Sequence, residues 1–115
     1  MGKENNNLIG DRGEELAINY LKKNKYKILE SKYKIAIGEI DIIARKKKTI
    51  VFIEVKSRTS DYFGRPSEAV SAAKQNKIRA VATTYLKIKR KLDSLVRFDV
   101  IEVLDDEINH IENCF

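Results

Sequence analysis

Cysteine and histidine are nearly absent from this 115-residue sequence, which has one of each, Cys114 and His110, and no tryptophan. A single cysteine excludes an internal disulfide bond, and one cysteine with one histidine cannot supply the four ligands of a structural zinc site. We therefore expect any bound metal ion to be held mainly by oxygen atoms. The sequence indicates no role for either residue.

Long hydrophobic runs are also missing, since the longest, such as Ile50–Ile53, have only the length of a strand. A membrane-spanning helix needs about 20 consecutive apolar residues, so no membrane partner is expected. The polar start, Met1–Asn7, lacks the apolar segment of a secretory signal, which predicts a cytoplasmic protein. With 43% hydrophobic residues, the chain has enough apolar material to fold as one domain over residues 1–115, of which residues 1–7 are expected to be flexible.

Basic residues outnumber acidic ones by 23 to 17, and their distribution is uneven. The last 17 residues, Asp99–Phe115, contain six acids and no lysine or arginine, so residues 1–98 carry a net charge of +12. Basic surfaces attract polyanions because binding releases condensed counterions. The charge is therefore equally consistent with a nucleic-acid partner and with a solvated surface that only keeps the protein in solution.

The hydrophobic pattern predicts an α/β chain. A helix over residues 8–24 is followed by three strands, a second helix from Ser71 to about Lys89, and two strands over residues 95–103 and 108–114. The three consecutive strands, expected to form an antiparallel meander, are Tyr26–Ile35, Gly38–Ala44 and Thr49–Lys56. A strand, a helix and a returning strand imply a right-handed crossover. The sequence therefore predicts a mixed central sheet flanked by helices.

Two charged side chains lie near the end of the third predicted strand, where Glu54 and Lys56 share one face about 7 Å apart. An acid followed two residues later by a base is common by chance in so charged a chain, so the spacing alone is a weak signal. The setting makes it informative, because a strand this apolar should not bury two charges unless they are paired or bind an ion.

A second carboxylate, Asp41, lies on the strand that is predicted to pair with this one, so it can approach Glu54. Two carboxylates held together repel each other, and a divalent cation with oxygen ligands, Mg²⁺ or Mn²⁺, would relieve the repulsion. Lys56 could then orient or deprotonate a metal-bound water. The alternative is a buried ion pair between Lys56 and Asp41 or Glu54 that only holds the register of the strands.

Several basic residues are candidates for binding phosphate groups. Arg58 and Arg65 lie in the predicted loop after the third strand, where they could either bind phosphates or order the loop. Lys46 and Lys47 belong to the basic turn between the second and third strands, and Lys74 is predicted on the outer face of the second helix. We expect these five residues to contribute to nucleic-acid binding.

The order of short motifs along the chain resembles the YraN-like family of largely uncharacterised, restriction-endonuclease-like proteins. The motifs that carry the resemblance are Gly10–Glu15, Gly38–Asp41, Phe52–Arg58, Phe63–Pro66, Glu68–Val70 and Lys74–Gln75. The family belongs to the wider PD-(D/E)xK nuclease group, so the resemblance implies an αβββαβ core similar to that of archaeal Holliday junction resolvases. Ile40 stands where the motif that names the group has proline, which leaves the carboxylate of Asp41 in place.

The resemblance also implies roles for five residues. Asp41 and Glu54 match the two metal-binding acids, and Lys56 matches the lysine that serves the attacking water. Glu14 matches an acid on the first helix that reaches the same metal site. Gln75 matches a polar residue on the following helix that often completes the catalytic site.

The function implied by the resemblance is that of a Mg²⁺- or Mn²⁺-dependent endonuclease. It would hydrolyse phosphodiesters of DNA, with branched DNA among its substrates and RNA as a further candidate, through a metal-bound water. A homodimer is expected because two symmetric cuts require two active sites. Two alternatives stay open: a nucleic-acid-binding module that keeps the carboxylates without cleaving, and a protein-interaction domain whose acidic C-terminal segment binds the basic surface of a second copy.

Overall fold

The structure, a computed structural model, describes residues 2–58 and 70–115, with side chains from residue 12 onward. Within these ranges it contains two helices and five strands in the predicted order. The helices are α1 (Gly2–Lys23) and α2 (Ala72–Ile88), and the strands are β1 (Lys27–Ile35), β2 (Gly38–Lys46), β3 (Thr49–Arg58), β4 (Leu95–Leu104) and β5 (Glu107–Ile111). The predicted α/β class is confirmed.

The described strands form one mixed sheet in the order β1-β2-β3-β4-β5. The first three are antiparallel neighbours, which confirms the predicted meander. β3 and β4 are parallel, because α2 carries the chain from the end of one strand back to the start of the other. β5 returns antiparallel to β4, so the sheet matches an αβββαβ core with one strand added at its edge.

Each face of the sheet is covered by one helix. α2 packs on one face through Val81 and Tyr85, and α1 packs on the other through Ala17 and Leu21. Because the side chains of a strand point alternately to the two faces, β3 is buried without interruption over residues 50–54. Neither helix of the described part of the chain is long and apolar enough to cross a membrane.

The start of α2 is fixed by Ser71, as the sequence predicts. The Ser71 side chain accepts a hydrogen bond from the backbone N–H of Lys74 over 3.2 Å, which satisfies one of the unpaired donors at the start of the helix. This N-cap places Lys74 and Gln75 in the first turn of α2. Both residues therefore lie at the N-terminal end of α2.

Two boundaries in the first half of the chain differ from the prediction. α1 begins at Gly2 rather than at residue 8, so helical backbone extends over the polar segment that precedes the apolar pattern. β3 continues to Arg58 because its parallel pairing with β4 continues to the pair Arg58 and Leu104. The predicted loop therefore begins later, and its residues 59–67 lie outside the described ranges.

The last strand is shorter than predicted, since β5 ends at Ile111. Beyond it the backbone N–H of Cys114 donates a hydrogen bond to the carbonyl oxygen of Phe98 over 2.7 Å. The rings of Phe98 and Phe115 also lie 5.4 Å apart between centroids. The C-terminal tail thus returns to the first half of β4, where packing and a hydrogen bond replace the predicted end of the strand.

Candidate active site

The two strands that carry the predicted acids separate at one end of the sheet. The β2–β3 ladder ends at the pair Ile42 and Ile53, whereas β3 stays paired with β4 as far as Arg58. Past the last pair, the carboxylate of Asp41 accepts a hydrogen bond from the backbone N–H of Val55 over 2.8 Å. A side chain thus takes the place of a ladder carbonyl, and the acids of β2 and β3 meet at this opening.

Asp41 and Glu54 form a pair of acids in contact. Glu54 is buried, with 5% of its surface exposed, and Asp41 is partly buried. Burial, a hydrogen bond with Glu54 and the negative charge of Glu54 raise the pKa of Asp41 to about 8, against the opposing effect of the hydrogen bond from Val55. At neutral pH Asp41 therefore keeps its proton and donates it in a hydrogen bond to Glu54.

Glu54 is the ionised member of this pair. Burial acts to raise its pKa, but the hydrogen bonds from Asp41 and Lys74 and the positive charges of Lys74 and Lys56 outweigh burial and lower it. The Nζ atom of Lys74 lies 2.8 Å from Oε2 of Glu54. The buried carboxylate is therefore neutralised by an ammonium group on one side and stabilised by the proton of Asp41 on the other.

Lys56 provides the second ammonium group of the site. It follows Glu54 by two residues on β3 and is partly buried. Burial and repulsion by Lys74 lower the pKa of Lys56, although the charges of Glu54 and Asp41 act in the opposite direction. A lysine with a lowered pKa releases a proton near neutral pH more readily than a solvated one, which is what a general base requires.

α1 approaches β3 closely because of Gly13. A Cβ atom at this position would lie 2.2 Å from Oγ of Ser57, so the contact needs a residue without a side chain. The next residue, Glu14, is thereby brought near the acids: after burial and the neighbouring carboxylate, its charge is a further cause of the raised pKa of Asp41. Glu14 also forms an ion pair with Lys32, whose Nζ lies 3.5 Å from Oε2.

Four of the five predicted catalytic residues thus meet at one end of the sheet, namely Glu14, Asp41, Glu54 and Lys56. The fifth, Gln75, uses its side-chain amide elsewhere. Its Nε2 donates a hydrogen bond to the backbone carbonyl of Val70 over 3.0 Å, which holds the chain at the entrance to α2. A role for Gln75 at a metal site stays a prediction.

The two lysines of the β2–β3 turn lie far from this cluster. Lys46 is the last residue of β2, five residues and therefore about 17 Å from Asp41 along the strand, and Lys47 follows in the turn. The Nζ atom of Lys46 lies 4.8 Å from the centroid of the Tyr26 ring. If these lysines bind nucleic acid, they contact it at the opposite end of the sheet from the acids.

The other predicted phosphate-binding residues have different positions. Arg58 ends β3 on the side of the acids, and its Nε lies 3.8 Å from Oε2 of Glu102. Arg65 lies outside the described residues. The prediction that Lys74 belongs to the outer face of α2 is wrong, because its ammonium group is in contact with Glu54.

Sequence reasoning could have found one of the missed neighbours but not the other. An N-cap at Ser71 places Lys74 in the first turn of the crossover helix, and such a helix begins at the end of the sheet where β3 ends, so its approach to the acids was predictable. Glu102, on β4, is 3% exposed and lies directly opposite Lys56 in the parallel register. Only the pairing of β3 with β4 reveals this neighbour, because no local motif encodes it.

The donor atoms of the site suit a hard divalent cation. Within residues 2–58 and 70–115, no cluster of three or more His, Cys, Asp or Glu side chains is arranged to hold a metal ion unaided. Mg²⁺, however, keeps several waters and is commonly held by one or two carboxylates, which Asp41 and Glu54 provide side by side. The pair therefore fits Mg²⁺ or Mn²⁺ as a two-carboxylate site completed by water.

Comparisons with known proteins identify the family. The model of the family described as Uncharacterised protein family UPF0102 matches residues 13–103. A UPF0102 protein of Geobacter metallireducens is 47% identical over 114 residues, which cover 96% of this chain and 93% of that protein. UPF0102 proteins of Clostridioides difficile and Caldanaerobacter subterraneus are 52% and 48% identical, with 96% and 100% of this chain and 99% and 100% of those proteins covered. The resemblance seen in the motifs is thereby confirmed, and the chain belongs to UPF0102, the YraN family.

Proposed function

We propose that the protein is a nuclease that uses Mg²⁺ or Mn²⁺ to hydrolyse phosphodiester bonds of DNA, with branched DNA as its substrate class. The observation that supports this most directly is the contact between Asp41 and Glu54. Two acids held together beside a lysine of lowered pKa reduce the stability of the fold, and such arrangements are concentrated at functional sites. The homodimer stays a prediction.

The residues of the cluster have separate roles in this proposal. Asp41 and Glu54 would hold the cation. Asp41 would release its proton on binding, because the positive charge of the cation would then offset the repulsion between the two carboxylates. The cation, when bound, supplies Lewis-acid polarisation and lowers the pKa of water. Lys56 orients the attacking water and, in its neutral amine form, accepts a proton from it, while the leaving oxygen takes a proton from solvent. Arg58 holds a phosphate group beside the scissile bond. Glu14 adds to the negative potential at Asp41.

A second function is favoured by one specific contact. Lys74 already neutralises Glu54 over 2.8 Å, as expected if the carboxylates serve the fold alone. The protein would then bind nucleic acid through its lysines and arginines without cleaving it. The two functions share the electrostatic attraction to phosphate and differ in whether the acids bind a cation.

A cleavage assay tests the nuclease proposal. The protein is incubated with linear duplex, single-stranded, flap and four-way DNA in Mg²⁺, in Mn²⁺ and in EDTA. We expect cleavage that requires the cation, is fastest on branched DNA, and falls at least about 100-fold in Glu54→Gln. The matched control is Glu39→Gln, because Glu39 is an exposed acid two residues before Asp41 on β2, and it should cleave like the wild type.

Binding measurements separate the two functions. We expect DNA affinity to fall steeply with salt, with a log-log slope of about −0.9 for each phosphate contacted on duplex DNA. The same steep dependence without cleavage of any substrate would favour the binding module. The absence of binding even at low salt would reject both nucleic-acid functions and leave the protein-interaction alternative.

A further inference from the structure

The ion pair between Lys74 and Glu54 joins two side chains with very different freedom to move. The carboxylate of Glu54 is only 4% exposed, and its Oε2 lies 2.8 Å from Nζ of Lys74. The Lys74 side chain is 42% exposed and extends from the first turn of α2. The buried acid is therefore fixed by its strand, whereas the lysine can exchange its position at Glu54 for one in solvent.

The ammonium group of Lys74 lies at Oε2, one of the two oxygens with which Glu54 could bind a cation. In the partly buried surroundings of the pair, two positive charges at the same carboxylate oxygen repel each other strongly. A second ammonium group, that of Lys56, already adds to the positive charge of the cluster and interacts with Lys74. A divalent cation and Lys74 therefore compete for Glu54, and Lys74 is the partner that can leave.

We propose that Lys74 is a tethered counter-ion, which neutralises Glu54 in the metal-free protein and moves to a DNA phosphate when a divalent cation takes its place. This inference rests on the proposed function and adds a mobile phosphate-binding residue to it. The N-cap at Ser71 fixes the backbone of Lys74, so the ammonium group can move only as far as the side chain of Lys74 reaches. The displaced group then lies at the rim of the site, where a phosphate would enter.

Metal titration of the DNA-free protein tests the competition. Isothermal calorimetry with Mg²⁺ compares the wild type with Lys74→Met, which keeps a similar chain length and removes the charge. The control is Lys77→Met, which removes the same charge from an exposed position on α2. We expect Lys74→Met to bind Mg²⁺ about five- to tenfold more tightly than the wild type, and Lys77→Met to stay within about twofold.

Lys74→Gln repeats the measurement with a side chain that can still donate a hydrogen bond to Glu54, in case the methionine variant does not fold. Affinity for Mg²⁺ that is unchanged or weaker in the folded Lys74 variant would overturn the competition. If neither the wild type nor the variant binds Mg²⁺, the metal-dependent function fails together with this inference. If the wild type binds Mg²⁺ and cleaves DNA while the variant binds no more tightly, only the inference fails.

A salt titration of DNA binding tests the movement to phosphate. It is carried out in EDTA and in Ca²⁺, which also takes oxygen ligands. We expect Lys74→Met to reduce the salt slope by about 0.9, the contribution of one phosphate contact, in Ca²⁺ and to leave the slope unchanged in EDTA. The same reduction in both solutions, or no reduction in either, would show that Lys74 does not move from Glu54 to DNA.

Discussion

Asp99 and Asp41 are both acids of the central sheet, but their surroundings differ. Asp99, on β4, is fully buried and accepts hydrogen bonds from two nitrogens of Arg97, from Nε2 of His110 and from the backbone N–H of Asn113, over 2.6 to 2.9 Å. Burial acts to raise its pKa, but these donors outweigh burial and lower it. Asp41 instead faces another acid, and its pKa is raised.

The difference shows that the hydrogen-bond donors around a carboxylate, rather than burial alone, determine whether its pKa is lowered or raised in this fold. Each donor to Asp99 comes from β4, β5 or the C-terminal tail, so the ionised acid ties these segments together. His110, to which the sequence assigns no role, continues the network through a hydrogen bond of 2.9 Å with the hydroxyl group of Tyr20 on α1. The Asp99 cluster is therefore structural, whereas Asp41, which has a second acid as its neighbour, keeps its proton.

The largest loss of stability is expected when the Asp99 cluster loses its charge. Asp99→Asn removes the buried carboxylate that pairs with the partly buried guanidinium group of Arg97, which should reduce the free energy of unfolding by about 3 to 5 kcal/mol. Urea unfolding measures the change. Asp106→Asn is the control, because its ion pair with Arg12 is exposed and should make no measurable difference.

An Asp99→Asn protein with wild-type stability would contradict the structural role of the Asp99 cluster. It would mean that the donors around Asp99 are satisfied as well by a neutral amide as by a carboxylate. A large loss of stability in Asp99→Asn together with an equal loss in Asp41→Asn would also contradict the comparison. Both clusters would then be structural.

Much of the fold could be predicted from local patterns. The apolar run of β3 identified the central strand, and Ser71 identified the start of α2. The end of β5 could not be predicted, because the tail is held by the hydrogen bond from Cys114 to Phe98, between residues far apart in sequence. Patterns of period 2 or 3.6 carry no information on such contacts.

The same distinction applies to the candidate site. The two-residue spacing of Glu54 and Lys56, with Asp41 on the adjacent strand, was sufficient to predict that their charges interact. The position of Glu102 opposite Lys56 follows only from the register of β3 with β4. The raised pKa of Asp41 also depends on the separation of β2 from β3, which a strand pattern does not specify. Local rules therefore predicted the acids, and tertiary contacts determine their protonation.

A smaller loss of stability is expected from a substitution at Gly13, whose close contact with Ser57 brings Glu14 near the acids. In Gly13→Ala the new Cβ would meet Oγ of Ser57 at 2.2 Å, and relieving this overlap costs about 1 to 3 kcal/mol. Alanine also favours the helix by about 1 kcal/mol over glycine, so the net loss should be about 1 kcal/mol. Urea unfolding of the single variant measures it.

The same substitution in a Ser57→Ala background provides the control. Without Oγ, the nearest Ser57 atom is Cβ at 3.6 Å, an ordinary contact, so Gly13→Ala should now stabilise the protein by about 0.5 to 1 kcal/mol. A reversal of sign would show that Oγ of Ser57 is the atom that requires glycine at position 13. If Gly13→Ala destabilises both backgrounds equally, another contact limits the approach of the helix.

No loss of stability is expected when Asp41 becomes asparagine in metal-free solution. The asparagine oxygen can accept the hydrogen bond from Val55, and its amide can donate to Glu54 as the proton of Asp41 does. The unfolded chain ionises Asp41 near pH 4, whereas the folded protein keeps the proton to about pH 8. Between these values the folded state binds the extra proton, so the wild type loses stability as pH rises.

Urea unfolding of Asp41→Asn at pH 5, 6, 7 and 8 therefore compares two slopes. The variant lacks the titrating group and should become more stable relative to the wild type as pH rises. It should also lose the stabilisation that Mg²⁺ gives the wild type by binding only the folded state. If Asp41 instead neutralises Lys56 in a buried ion pair, the variant should unfold with about 3 to 5 kcal/mol less free energy at neutral pH, and Mg²⁺ should stabilise neither protein. That outcome would make the two carboxylate clusters alike and reject the nuclease proposal.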